Sequence, residues 1–303
     1  MPKTLAAGIC VLALVATAGC SVKRFAINKL GDSLANSGTT YASDDDPDLV
    51  GQALPFSLKL VEGLLAESPE HRGLLFTAVS GFTQYAYVYV HQDADMVEKQ
   101  DLEKATSLRS RARRLYLRAR DYGLRGLDAR MRGFSNKLRQ DPVSAVRLAG
   151  ASDVPLLYWT AAAWGNAISL SKDNPALVAD QRIVEALIDR AASLRPDFDS
   201  GAIDGFLIVY EMARNGAGGD PAARARTHFD RAVALSKGQL ASPFVSLAEA
   251  VSVQHQDRAE FEALLKQALA IDPDARPEWR LQNLVVQRRA RWLLATEDDL
   301  FIK

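Results

Sequence analysis

The sequence predicts an all-α protein built of stacked helical hairpins, and three observations predict it. Asn174-Pro175, Asp220-Pro221 and Ser242-Pro243 each place a capping side chain before a proline suited to the first helical turn. Two long segments carry apolar residues at helical spacing without a turn signal. A degenerate 13-residue pattern recurs down the chain. No run of half-buried strands joined by hairpin turns accompanies them.

Residues 1–19 stand outside the fold. Lys3, an apolar stretch from Leu5 to Val15, and the small residues Thr17-Ala18-Gly19 before Cys20 form a signal peptide. Ala18-Gly19-Cys20 resembles the lipobox of bacterial lipoproteins, although Thr17 stands where Leu is usual. That resemblance implies cleavage before Cys20, acylation of its thiol and a membrane attachment through the lipid. Ser21 after the cysteine implies outer-membrane sorting at the periplasmic face of the bacterial envelope. A plain secretory signal or a short membrane anchor is the alternative. Cys10 falls in the removed segment, so Cys20 is the one thiol left and no disulfide framework is possible. Residues 20–52 read as the acylated N-terminus and a spacer, rich in Ser, Gly, Thr and Asp. The run from Asp44 to Asp48 lacks the spacing of an EF-hand loop and reads as solvated.

Residues 53–303 read as one helical domain. The segment 72–90, "RGLLFTAVSGFTQYAYVYV", is too long for a strand and is apolar nearly all round, so it is expected as a buried or cavity-lining helix. Its rings are Phe82, Tyr85 and Tyr89. Residues 154–170, "VPLLYWTAAAWGNAISL", hold no charge but include Pro155, Asn166 and three small alanines, which argues for a soluble core helix over a membrane span. Its rings are Tyr158, Trp159 and Trp164. Residues 108–133 form an arginine-rich helix with Leu108, Ala112, Leu115, Ala119 and Tyr122 on one stripe. Its arginines read either as a carboxylate clamp or as a solvated face paired to Asp101, Glu103 and Asp121. Tetratricopeptide-like spacing recurs as Val61, Leu64 and Pro69; Ile188, Ala191 and Pro196; Ala225, Phe229 and Ala232; and Leu265, Ala268 and Pro273. The stop at 215–219, "NGAGG", ends a helix.

Composition limits the function. Lys plus Arg and Asp plus Glu are 37 each in 303 residues, so net charge gives no argument for a nucleic-acid partner, and export makes one poor. His91, Asp93 and Asp95 do not share one helix face and read as a helix end in water, not as a metal site. No nucleophile elbow, phosphate loop or paired acid and base is marked. No enzyme, cofactor or metal is expected.

Four segments carry a family resemblance: "ALPFSLKLVEGLLAESPEH" (53–71), "SGFTQYAYVYVHQDADMVE" (80–98), "RARRLYLRARDYGLRGL" (111–127) and "DVPLLYWTAAAWGNAISLS" (153–171). They resemble the T component of tripartite ATP-independent periplasmic (TRAP) transporters. The resemblance implies a periplasm-facing lipoprotein of cryptic tetratricopeptide-like hairpins that associates with the transporter's soluble substrate-binding protein. It further implies clefts for a small hydrophobic or organic-acid ligand, and a proposed homotrimer around a central channel. Combined with the residue reading, Phe82, Tyr85, Tyr89, Tyr158, Trp159 and Trp164 are the candidate ligand-binding rings, with core packing as the alternative. A protein-interaction scaffold in envelope assembly, without a small ligand, is the other functional reading.

Overall fold

The computed structural model describes residues 28–32, 38–214, 216 and 218–302, so Cys20 and the signal peptide lie outside the described residues. Among those residues every regular element is helical and no strand occurs. The all-α expectation holds.

Helix α1, Pro47–Glu67, starts where Asp46 accepts from the amides of Asp48 and Leu49 and Pro47 takes the first turn. Helical structure thus begins before residue 53. A short helix at Gly38–Ala42 already lies along α1, with the Tyr41 hydroxyl 2.7 Å from Ser57 Oγ. The stretch read as spacer escaped notice because its Ser, Thr and Asp content hides one packed tyrosine and one capping aspartate.

Helix α2, Arg72–Ala86, is capped by His71 and continues through a π-helical turn, Tyr87–His91, into Gln92–Val97. Helix α3, Leu102–Asp128, runs back antiparallel. Arg109 meets Asp95, Arg111 meets Tyr85 and Arg125 reaches Pro69, so rising numbers on one helix face falling numbers on the other. The buried stripe of α3 is Ala105, Ala112, Tyr116, Ala119, Gly123 and Leu127. It includes Tyr116, where the sequence reading had Leu115. Helix α4, Val154–Ser169, packs on α3 and α2 with Ala161, Ala163 and Ala167 fully buried. Its apolar surface is covered by protein. The described helix that is long and apolar enough to span a membrane by composition is α1 instead. One side of α1 buries Leu58, Val61 and Leu65 in the core. The other leaves Leu49, Phe56 and Leu60 exposed, Phe56 by 76%.

The chain continues through α5 (Gln181–Leu194), α6 (Ala202–Tyr210), α7 (Pro221–Ser236), α8 (Ser242–Leu247), α9 (Arg258–Ala270) and α10 (Arg280–Ala295). The repeat positions Ile188, Ala191, Ala225, Ala232, Leu265 and Ala268 are buried, as small or branched residues at helix crossings must be. In the first copy Leu65 is buried where Leu64 was expected. Helix α6 ends at Tyr210, and Gly216 and Gly219 take positive φ in the predicted stop, of which residues 215 and 217 lie outside the described residues.

One apolar core extends from α1 to α6 and a second from α6 to α10. The two ends of the chain then meet. Helix α10 packs on Gly38–Ala42 and on α1; Arg280 donates to the Ser43 carbonyl at 3.0 Å, Arg288 pairs with Asp48 at 3.4 Å, and Lys99 pairs with Asp299.

Close approach of α3 and α4 depends on Gly123, where an added Cβ would overlap the Thr160 hydroxyl. Gly123→Ala should therefore lower stability by about 1–3 kcal/mol through overpacking. Gly63 has nothing within 4 Å of the same position. Gly63→Ala should raise stability by roughly 0.5–1 kcal/mol. Urea unfolding of both variants checks the contrast, and equal effects would contradict the packing.

Candidate functional site

Two π-helical turns face one another across the molecule. The first, Tyr87–His91, follows α2; the second, Ala248–Ser252, follows α8. A π turn widens the helix by one residue per turn and re-aims side chains, and such turns often occur at functional sites. Here the first supplies Tyr87 and His91 and the second supplies Glu249. Between them stands Arg289 of α10, nine-tenths buried.

Arg289 joins three parts of the chain. Its Nη2 lies 2.6 Å from Glu249 Oε1, and its Nε lies 3.1 Å from the same oxygen. The same Nη2 lies 3.1 Å from Asp95 Oδ2. The guanidinium also sits over the Trp292 ring at 4.4 Å. Its Nη1 is buried without a hydrogen-bond partner. Arg109 holds the other side of Asp95 at 3.1 Å and grips Glu98 with two bonds of 2.7 Å. These residues border a recess of about 180 Å³ whose remaining wall is Val253, Trp292, Leu293 and Leu300.

The electrostatics follow from enclosure. Burial pushes the Glu249 carboxyl above its ordinary range, and the pairing with Arg289 only partly offsets it because Asp95 repels it and shares the same guanidinium. Burial pulls His91 below the ordinary histidine value, with Asp95 opposing and Arg289 assisting. Its Nδ1 lies 3.2 Å from the Tyr116 hydroxyl. Tyr87 leaves 42% of its surface open, yet desolvation is the leading cause that raises its hydroxyl. Burial thus opposes the charge on Glu249 and on His91 beside one permanent cation.

A second concavity of about 400 Å³ runs along α3, lined by Arg114, Leu117, Arg118, Asp121, Tyr122 and Arg125. It is larger but is formed by the outer face of one helix. Beneath it the Phe82 and Tyr122 rings stack at 6.0 Å and 10°, with Arg118 over Phe82. Burial and a bond to Glu62 push the Tyr122 hydroxyl up to about 12. The arginines of α3 are engaged by Asp95, Glu98, Glu62, Asp121 and Tyr85; Asp101 instead caps the helix.

The sequence-derived rings fall into separate clusters. Phe82 (3% exposed) and Tyr85 lie between α2 and α3. Tyr89 packs beside Tyr85 and over Gly51, and donates to the Pro47 carbonyl at 2.7 Å. Tyr158 and Trp159 are half-buried and meet edge-on at 5.1 Å beside Phe198. Trp164 (1% exposed) lies under Arg120. Of His91 and Asp95, read as a helix end in water, Asp95 lines the recess, while His91 is partly buried against the Tyr116 hydroxyl. Glu249, Arg289 and Trp292 were not singled out; nothing in their local sequence marks a π turn or a contact between chain ends. No group of three or more metal-ligating side chains converges among the described residues.

A family model described as TRAP transporter T-component matches residues 43–301. The chain belongs to that family. A T-component is a transporter part and not an enzyme family, which gives the chain an accessory role in TRAP transport at the envelope or periplasm. The chain is also 29% identical to an uncharacterized protein of Treponema pallidum (strain Nichols), with 94% of each chain aligned.

The raised Glu249 carboxyl has a thermodynamic consequence. The folded state keeps this proton to higher pH than the unfolded chain does, so it binds more protons above the ordinary value of 4.5, and stability falls as pH rises through that window. Glu249→Gln removes the ionisation. In thermal melts from about pH 4.5 to 7 the wild type should lose stability relative to the variant as pH rises; a constant difference would contradict the assignment.

Proposed function

We propose that this T-component is a lipid-anchored periplasmic protein that holds a small hydrophobic or organic-acid ligand in the Arg289 recess. It exchanges that ligand with a soluble substrate-binding protein of the TRAP system. The observation that carries the reading is the buried, unpartnered Nη1 of Arg289 beside an apolar wall. A guanidinium N–H in that setting fits an acceptor oxygen, and a charge-assisted bond there contributes about 1.5–3 kcal/mol. Trp292, Val253 and Leu300 suit a short hydrocarbon body. The volume lies below the ~300 Å³ at which drug-sized pockets begin, so the ligand is of a few carbon atoms. The shift of Glu249 towards its protonated form lessens its repulsion of a ligand carboxylate.

The six sequence-derived rings have different places in the fold. Tyr158 and Trp159 keep open surface at a separate place on α4. Phe82, Tyr85, Tyr89 and Trp164 belong to the helical frame and are not among the residues that line the recess. Attachment through acylated Cys20 and assembly as a homotrimer complete the reading. The scaffold alternative is favoured by one feature: exposed Leu49, Phe56 and Leu60 on α1 form an apolar stripe suited to another protein.

Native mass spectrometry of the purified protein, followed by calorimetric titration with a series of short mono- and dicarboxylates, tests the ligand. One member should bind, and Arg289→Met should weaken it by about 10- to 100-fold. Trp292→Leu should weaken it with the ion pairs intact. No co-purified molecule and no binding in the series would refute the recess and leave the scaffold reading ahead.

A further inference from the structure

The N-terminal tether enters the body at one end of the helix stack. Asn28 Oδ1 accepts from the Ser68 hydroxyl at 2.8 Å, and the Asn28 carbonyl lies 3.2 Å from His71 Nε2, both in the turn between α1 and α2. Residues 21–27 alone separate it from Cys20. Fully extended they reach about 26–29 Å, so an acylated Cys20 keeps this end close to lipid headgroups.

Contacts cross that end without a break. Arg72 and Arg130 both pair with Asp153, which is wholly buried between them. Arg130 also donates to the Leu148 carbonyl at 3.3 Å, and Arg190 donates to the Ala149 carbonyl at 2.7 Å. Leu148 itself is 50% exposed, with Arg130, Arg147 and Arg190 around it. Arg132, two residues beyond Arg130, is exposed as well. Neither Arg132 nor Arg147 forms an ion pair among the described residues. The acids of this end are placed elsewhere: Asp153 is buried, Asp128 accepts from Ser135, and Asp141 caps the helix at Pro142–Val146. Glu67, Glu70 and Asp32 are exposed where the tether enters, with Asp32 3.4 Å from His71, and Asp141 lies near Arg147; the arginine rim is the Leu148 side of this end.

We propose that this arginine-rimmed end, with Leu148 at its centre, docks on the surface of a bilayer containing anionic phospholipid. The proposal rests on the Cys20 tether. An anionic surface attracts arginines within a Debye length of it, and an exposed leucine enters the headgroup boundary. The tether supplies proximity and the rim supplies orientation. Residues 71 and 91 are about 30 Å apart along α2 and its extension. Docking at the His71 end therefore points the Arg289 recess away from the lipid, towards soluble partners.

The test uses the full mature lipoprotein in vesicles. With Cys20 acylated, Leu148→Cys provides a single free thiol for a spin label. In vesicles containing phosphatidylglycerol, collisions of the label with oxygen should rise and those with a water-soluble nickel reagent should fall, relative to pure phosphatidylcholine. Adding Arg132→Glu and Arg147→Glu should abolish the difference while the circular dichroism spectrum stays unchanged. A label equally water-exposed on both vesicles, in protein that floats with them, refutes the docking surface alone. The same immersion on neutral lipid refutes the anionic partner. Protein that floats with neither vesicle refutes the tether, and the docking surface with it.

Discussion

The guanidinium of Arg289 is the constraint on which the site depends. It is nine-tenths buried, carries a charge that no protein environment removes, and must be matched by acids from distant parts of the chain. Asp95 comes from the extension of α2 and Glu249 from the turn after α8. These partners bring three helices to one point. The same contacts leave one N–H over, and that surplus is what gives the recess a chemistry.

Two local irregularities make the convergence possible. A regular α-helix through 87–91 would change where Tyr87 and His91 point. The π turn offsets the helix so that His91 meets the Tyr116 hydroxyl and Tyr87 lies within electrostatic reach of Glu249 and Arg289. The turn at Ala248–Ser252 does the same for Glu249 on the opposite side. Long apolar helices α2 and α4 provide the rigid frame. Gly123 and Gly126 let α3 seat closely against Thr160 and Leu156, so that the polar contacts at its ends keep their register.

How much of this was legible in the sequence differs by level. Helical class was plain from capped prolines and three- and four-residue apolar spacing, since both depend on neighbours in the chain. Of the repeat positions, Ile188, Ala191, Leu265 and Ala268 are buried for the same reason, whereas Leu65 takes the place of Leu64 and Phe229 is half-buried. Aromatic residues were harder. Phe82 and Trp164 could be recognised as large rings on apolar helices, but whether a ring meets a cavity or another helix depends on elements far away in sequence. Arg289 was beyond reach, because an arginine amid "VVQRRARWLL" has no local sign that two acids wait for it. Asp95 lies in a polar stretch at a helix end, and its place in the recess depends on Arg109 and Arg289, which are remote in sequence.

The family match assigns the transport setting, and the geometry gives that role a place on the molecule. The end proposed to face lipid and the Arg289 recess lie at opposite ends of α2 and its extension. The account stands on Arg289 joining the last helix to the first hairpin. A double-mutant cycle of Arg289→Gln and Asp95→Asn, read by urea unfolding, tests that join most directly. The predicted coupling is about 1–3 kcal/mol, the range for residues that share a buried ion pair. A coupling near zero would mean that Arg289 does not hold the last helix to the first hairpin, leaving that junction to apolar packing and to the contacts of Arg280, Arg288 and Lys99.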